Sequence, residues 1–223
     1  MAEQHGNAFA KRGWQKIEKE LTRNQIKQLF VKYFEEAFEK TRSRIGLFSL
    51  SFIPDSELMW SHYASSHSGY MLHFQIDIAQ CLVDSSLKNV GFPIPVKYRD
   101  KREVWDLPDY FADRASHMYN LIRFKSKAWA YECELRLFHE NRCGFIKTPS
   151  NWLKSIVIGI DMDDELQDKL RSIGDELNIP VLSSVMNEKE YKIDIPGLEI
   201  NGIDGRTHYN EVINSKIFEL KRK

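Results

Sequence analysis

Hydrophobic and polar positions change period several times along the chain, and each change marks an element. Behind Thr22, the residues Ile26, Leu29, Phe30, Tyr33, Phe34, Ala37 and Phe38 recur at i, i+3, i+4 and i+7, the apolar stripe of a helix. Thr22 and Gln25 have the spacing of a capping box. Residues 9–41 therefore read as helical, and a stripe so rich in phenylalanine predicts burial against the sheet that follows. IGLFSLSF (45–52) is an apolar run interrupted by serines, as in a buried strand. PDSE supplies a turn and cap, and 56–66 predicts a short helix. In YMLHFQID (70–77), Tyr70, Leu72, Phe74 and Ile76 alternate with Met71, His73, Gln75 and Asp77, predicting a strand with the first set buried.

Further on, PIPVKYRD (93–100) reads as a short strand whose prolines place it at an edge or a start. Residues 107–128 are mostly helical in pattern, and YECELRLF (131–138) alternates like a strand. LKSIVIGI (153–160), an amphipathic stretch 164–177 capped by Asp161 or Asp163, and IPVLSSV (179–185) form a strand–helix–strand unit. A crossover of that length joins parallel strands. The fold class expected is α+β: a single mixed sheet packed with helices, an N-terminal helical extension over 1–43, a core over 44–197 and a loosely held polar tail over 198–223.

Composition narrows the function classes. The chain has 223 residues, with Lys+Arg and Asp+Glu balanced at 32 each, so no overall field draws it to nucleic acid or an anionic membrane. No apolar run approaches the roughly 18 residues of a spanning helix, and the polar start lacks a secretory signal. Cys81, Cys133 and Cys143 show no paired spacing and fit reduced thiols in the cytoplasm. Glycine motifs for dinucleotides or phosphates, the serine-hydrolase elbow and the His-Glu-x-x-His metal motif are all missing.

Two dense segments remain. MWSHYASSHSG (59–69) gathers Trp60, His62, Tyr63 and His67. Five residues apart, the two histidines point about 140° away from each other on a helix, so no metal site is expected there. KSKAWAYECELR (125–136) is the second. A strand period places Glu132, Glu134 and Arg136 on one face, with Tyr131, Cys133, Leu135 and Leu137 on the other. Carboxylates about 7 Å apart beside a guanidinium suit the polarising of a sugar hydroxyl, and equally suit a solvated strand face.

Together these blocks resemble a bacterial and phage family of unknown function, numbered 2971. Its pattern falls on Met59, Trp60, His62, Tyr63, His67 and Gly69, then on Lys125, Trp129, Glu132, Glu134 and Arg136. IGLFSLSF, PVKYRD and LKSIVIGIDM are similar to its other blocks. The family's usual opening, a Tyr- or Arg-bearing strand with Asn-Asp-Pro-Phe, has no counterpart here, which implies a shortened, altered or inactive member if that opening forms part of the pocket. The order of serine-bearing strand, Ser-His-Tyr helix and Glu-x-Glu strand is also similar to ADP-ribosyltransferase-like domains. That resemblance implies NAD or a related nucleotide as ligand and a role in phage defence. Glu132 and Glu134 would be the catalytic pair, with Trp60, His62, Tyr63, His67, Lys125 and Arg136 binding substrate. The alternative is a non-catalytic sensing or protein-interaction module. The two readings differ in whether Glu132, Glu134, Tyr63 and His67 converge on one cavity or the glutamates lie on an open face.

Overall fold

The computed structural model describes residues 22–77, 80, 87, 90–91, 93–102, 114–139, 144–199 and 205–214. The expected helix over 9–21, Cys81, Cys143, residues 103–113 and the chain beyond 214 lie outside them. The chain divides into two compact units, Met1–Gly46 with Asn141–Cys143, and Leu47–Glu140 with Gly144–Lys223.

In the first unit, helix α1 (Arg23–Arg42) starts at Thr22, whose side chain accepts from the Gln25 N–H while the Gln25 side chain accepts from Thr22: the expected capping box. Lys40 and Arg42 in its last turn complement the helix dipole. Its apolar stripe does not follow the expectation of burial. No residue of the helix is buried, and Phe30 and Tyr33 are 38% and 70% exposed.

The second unit is α+β. Its strands are β1 (Gly46–Ser51), β2 (Tyr70–Phe74), β3 (Ile94–Pro95), β4 (Lys97–Arg99), β5 (Phe124–Ser126), β6 (Glu134–His139), β7 (Leu153–Ile158), β8 (Val181–Ser183), β9 (Val185–Met186) and β10 (Ile193–Asp194). The helices are α2 (Glu57–Tyr63), α3 (Arg114–Arg123), α4 (Asp164–Leu177) and α5 (Gly205–Asn214). Instead of one sheet, the described strands form two three-stranded sheets, ordered β1-β6-β3 and β2-β7-β8, and two pairs, β4-β5 and β9-β10. Periodicity identifies strands but not their distant partners, which is why the division escapes a sequence reading.

The strand–helix–strand unit is as expected. Asp163 caps α4 by accepting from the Leu166 N–H, and β7 pairs in parallel with β8. Val157 and Ile158 of β7 are almost fully buried, and Val157 packs with Trp60, Ala64 and Ile193. Burial of such side chains contributes roughly 1.5–3 kcal/mol each.

Three expectations change. β1, read as a buried strand, leaves Leu47 and Phe48 49% and 48% exposed. Tyr70 and Leu72 are 52% and 41% exposed, while Met71 packs against the Trp60 cluster. As an edge strand, β2 presents to an open cleft the face expected to be buried. In the polar C-terminal stretch, 205–214 is helix, not loosely held tail. Tyr209 is buried with Ile53 and Cys133, and its hydroxyl donates to the Val96 carbonyl.

Candidate functional site

Helix α2 is only seven residues long, started by Ser56, whose side chain accepts from the Met59 N–H. Trp60 anchors it. Its ring is buried at 3% exposure, and its indole N–H donates to the Pro54 carbonyl at 2.8 Å. One turn on, Tyr63 projects outward and is 59% exposed. Trp60 thus serves the core while also bordering the cleft described below.

The second motif does not form the continuous strand that its alternation suggests. Lys127–Glu132 is a 3-10 helix, Cys133 sits at φ 43° in the left-handed region, and β6 starts only at Glu134. Ser51 holds this corner: its hydroxyl donates to the Glu132 carbonyl at 2.6 Å and accepts from the Ile53 N–H at 2.9 Å. The corner still brings both glutamates to one place. Lys125 from β5 bonds to Glu132 and, at 3.2 Å, to Glu134. Arg136 grips Glu134 with Nε at 2.7 Å and Nη2 at 3.0 Å, while its Nη1 donates to the Ile122 carbonyl. The Glu134 backbone N–H donates to the Tyr98 hydroxyl at 2.9 Å. Glu132 and Glu134 are 2% and 5% exposed, so two buried carboxylates are held by two partly exposed cations.

The two sequence motifs meet through one bond. The Tyr63 hydroxyl donates to Glu132 Oε1 at 2.6 Å. That hydrogen bond, reinforced by burial, pushes the phenol above its ordinary range, so it remains a donor. Burial alone would raise the Glu134 carboxyl, but hydrogen bonds from Arg136 and Ser49 and the charges of Arg136 and Lys125 outweigh it, and the net shift is downward. Glu134 is thus an ionised acceptor at neutral pH, not a proton donor.

His62 and His67 do not partner the carboxylates. His62 Nδ1 shares a 2.9 Å hydrogen bond with the Tyr131 hydroxyl, and its ring lies near Trp129 and Tyr131 at the exposed edge of the network. Lys125 Nζ stands 5.0 Å from the Trp129 ring centre. His67 belongs to a different corner. Ser65, Ser66 and His67 all have positive φ, 47°, 52° and 69°, a left-handed run of non-glycine residues that costs about 1–3 kcal/mol per residue. The run turns the chain sharply from α2 into β2. It is held by the His67 carbonyl accepting from the Asp161 N–H at 3.1 Å and the Gly69 carbonyl accepting from the Gly159 N–H at 2.9 Å.

In front of Tyr63 lies a cleft of about 560 Å³, bordered by the facing edges of β1 and β2. Phe48 and Phe74 meet edge to face at one point along it, ring centres 5.7 Å apart. Ser49, Ser51, Tyr63, His73 and Gln75 give it polar groups, and Tyr70 and Leu72 give it apolar area. Glu132, Glu134, Lys125, Arg136, His62 and His67 are not among its lining residues. Ser49 and Tyr63 are its links to the buried carboxylates. The sequence reading passed over Ser49, Ser51 and Tyr98 as functional positions; the serines interrupting an otherwise apolar strand were the available signal.

Residues 59–137, which contain both motifs and most of the network, match the family described as protein of unknown function (DUF2971). Over that stretch, about a third of its length, the chain is similar to DUF2971 proteins. No curated protein and no solved structure matches the chain. The matched stretch supplies α2 from Met59 on, β2 and the 3-10 corner, whereas β1 and the β7–β8 unit lie outside it. Among the described residues, no helix is long and apolar enough to cross a membrane.

Proposed function

We propose that the β1–β2 cleft binds the base-and-ribose end of NAD or a related nucleotide, in the manner of an ADP-ribosyltransferase-like domain. The observation that carries this reading is Tyr63, whose ring borders the cleft while its hydroxyl is held by the buried Glu132. The cleft volume of about 560 Å³ falls within the range of small-molecule sites. Phe48, Tyr63, Tyr70 and Phe74 offer ring surface to a flat heterocycle, and Ser49, Ser51 and Gln75 offer hydrogen bonds to sugar hydroxyls or a base edge.

In this reading Glu132 is the carboxylate that meets the ribose. Turning the exposed Tyr63 side chain outward frees Glu132 Oε1, which then accepts from a ribose hydroxyl in place of the phenol. Such contact stabilises positive charge developing at the neighbouring anomeric carbon as the nicotinamide bond breaks. Glu134 has a supporting part. Held by Arg136 and Lys125, it orients Ser49 and Lys125 and takes no proton.

Calorimetry with NAD and chromatography of released nicotinamide test the proposal on wild type, Tyr63→Phe and Tyr63→Ala. Wild-type binding that weakens at least tenfold in Tyr63→Ala supports it. A wild type that neither binds NAD nor releases nicotinamide would falsify it. That result would favour the interaction module, a reading supported by the closure of the carboxylate network, in which Lys125 and Arg136 already neutralise Glu132 and Glu134.

A further inference from the structure

The charge of the cleft lining is as informative as its size. Among the described residues that border it there is no lysine and no arginine, and Glu199 is the one carboxylate. Two histidines border it. His73 shares a 3.2 Å hydrogen bond with the Ser155 hydroxyl, and burial, with the nearby charge of Lys154, lowers its pKa, so it stays neutral at pH 7. His208 has Glu211 for a neighbour at 3.9 Å. Lys154 is not among the lining residues, and Lys125 and Arg136 are engaged by Glu132 and Glu134 behind the wall. A phosphate monoester carries about −1.5 to −2 charges at pH 7. Moving it from water into such a lining removes hydration without returning a counter-charge, which is strongly unfavourable.

We infer that the cleft takes a nucleoside moiety free of phosphate and leaves any phosphate outside, so that nucleosides bind at least as tightly as their 5′-phosphates. The inference rests on the nucleotide reading of the same cleft and narrows it to a ligand class. Apolar and aromatic lining receives the base. Neutral hydroxyl and amide groups receive the ribose, and the 5′ position faces solvent.

The test is calorimetric titration with adenosine, AMP and NAD at two salt concentrations. The expected result is adenosine binding equal to or tighter than AMP, with a ratio that salt hardly alters. AMP or NAD binding more than tenfold tighter than adenosine, with affinity falling steeply as salt rises, would mean that phosphate is the anchor and overturns the inference while leaving a nucleotide site standing. Absence of binding by all three removes the nucleotide reading itself and the inference with it. Gln75→Lys and Glu199→Lys, both at exposed positions bordering the cleft, put a cation where none stands. Each is expected to swing preference toward AMP by about tenfold, the scale of one charged hydrogen bond. A ratio unchanged in both folded variants places the ligand outside this cleft and also overturns the inference.

Discussion

Behind Tyr63, the partly exposed Lys125 and Arg136 answer the buried Glu132 and Glu134; in front of it, the edges of β1 and β2 face an open cleft that is nearly free of charge. The charged side has every feature that draws attention in a sequence. Yet its groups are turned toward one another, and what it delivers is the position of the Tyr63 hydroxyl, of Ser49 and of the 3-10 corner. The cleft side is built from serines, aromatics and an amide whose individual signals are weak. The contrast teaches that a dense cluster of ionisable residues can be the support of a site and not its surface. Under the proposed function it also separates two kinds of mutational effect: changes behind the wall are expected to act on stability first and changes in front of it on ligand first.

The strongest way to break this contrast is Glu134→Gln. The substitution keeps shape, and on sequence grounds it is expected to leave stability nearly unaltered. Its burial beside Arg136 and Lys125 reverses that expectation, and a loss of about 3–5 kcal/mol in denaturant unfolding is now predicted. An unmoved midpoint would show that the network carries no structural weight.

Acid sharpens the same point. Because the folded-state pKa of Glu134 is depressed, its stabilisation is fully present above the ordinary carboxylate value and is lost as pH falls through the lower folded value. The stability gap between wild type and Glu134→Gln should therefore narrow below about pH 4, measured by unfolding across pH. A constant gap would assign the loss to packing instead of charge.

Tyr63→Phe stands on the boundary. It leaves Glu132 Oε1 without its 2.6 Å donor, for which about 1–3 kcal/mol of destabilisation is expected. Smallest of all is Gln75→Ala, on the cleft side, with a predicted change within about 0.5 kcal/mol in thermal unfolding but a measurable loss of ligand affinity. A large destabilisation there would erase the distinction between support and surface.

Much of this was legible from the residues. Thr22 and Gln25 announced the start of α1 because a capping box is a local device, complete within four residues. The β7–α4–β8 unit was legible because an apolar run, an Asp cap and a helical stripe agree with one another. The meeting of the two motifs was expected on physical grounds, but its partners were not: Tyr63 and Lys125 reach Glu132, whereas both histidines turn elsewhere. The Glu-x-Glu-x-Arg alternation imitates a strand through Glu132, and nothing in it discloses the left-handed Cys133 that Ser51 helps to hold. Exposure of Tyr70 and Leu72 was equally hidden. Period two tells which side chains share a face, not whether anything covers that face. Tyr209 and Ile213, four residues apart, were masked by their polar neighbours.

Gly159 follows β7, distant in sequence from both motifs but packed against the end of the first, and a β-carbon there would collide with the carbonyl oxygens of His67 and Gly69. Those two carbonyls fasten the turn that joins the Tyr63 helix to the cleft strand β2. Even an alanine at this position must push that turn outward, shifting two walls of the cleft together without touching either. Random mutagenesis screened for loss of ligand should accordingly recover Gly159 alongside residues of the cleft itself. Its intolerance to change would then measure how finely the two walls must be matched.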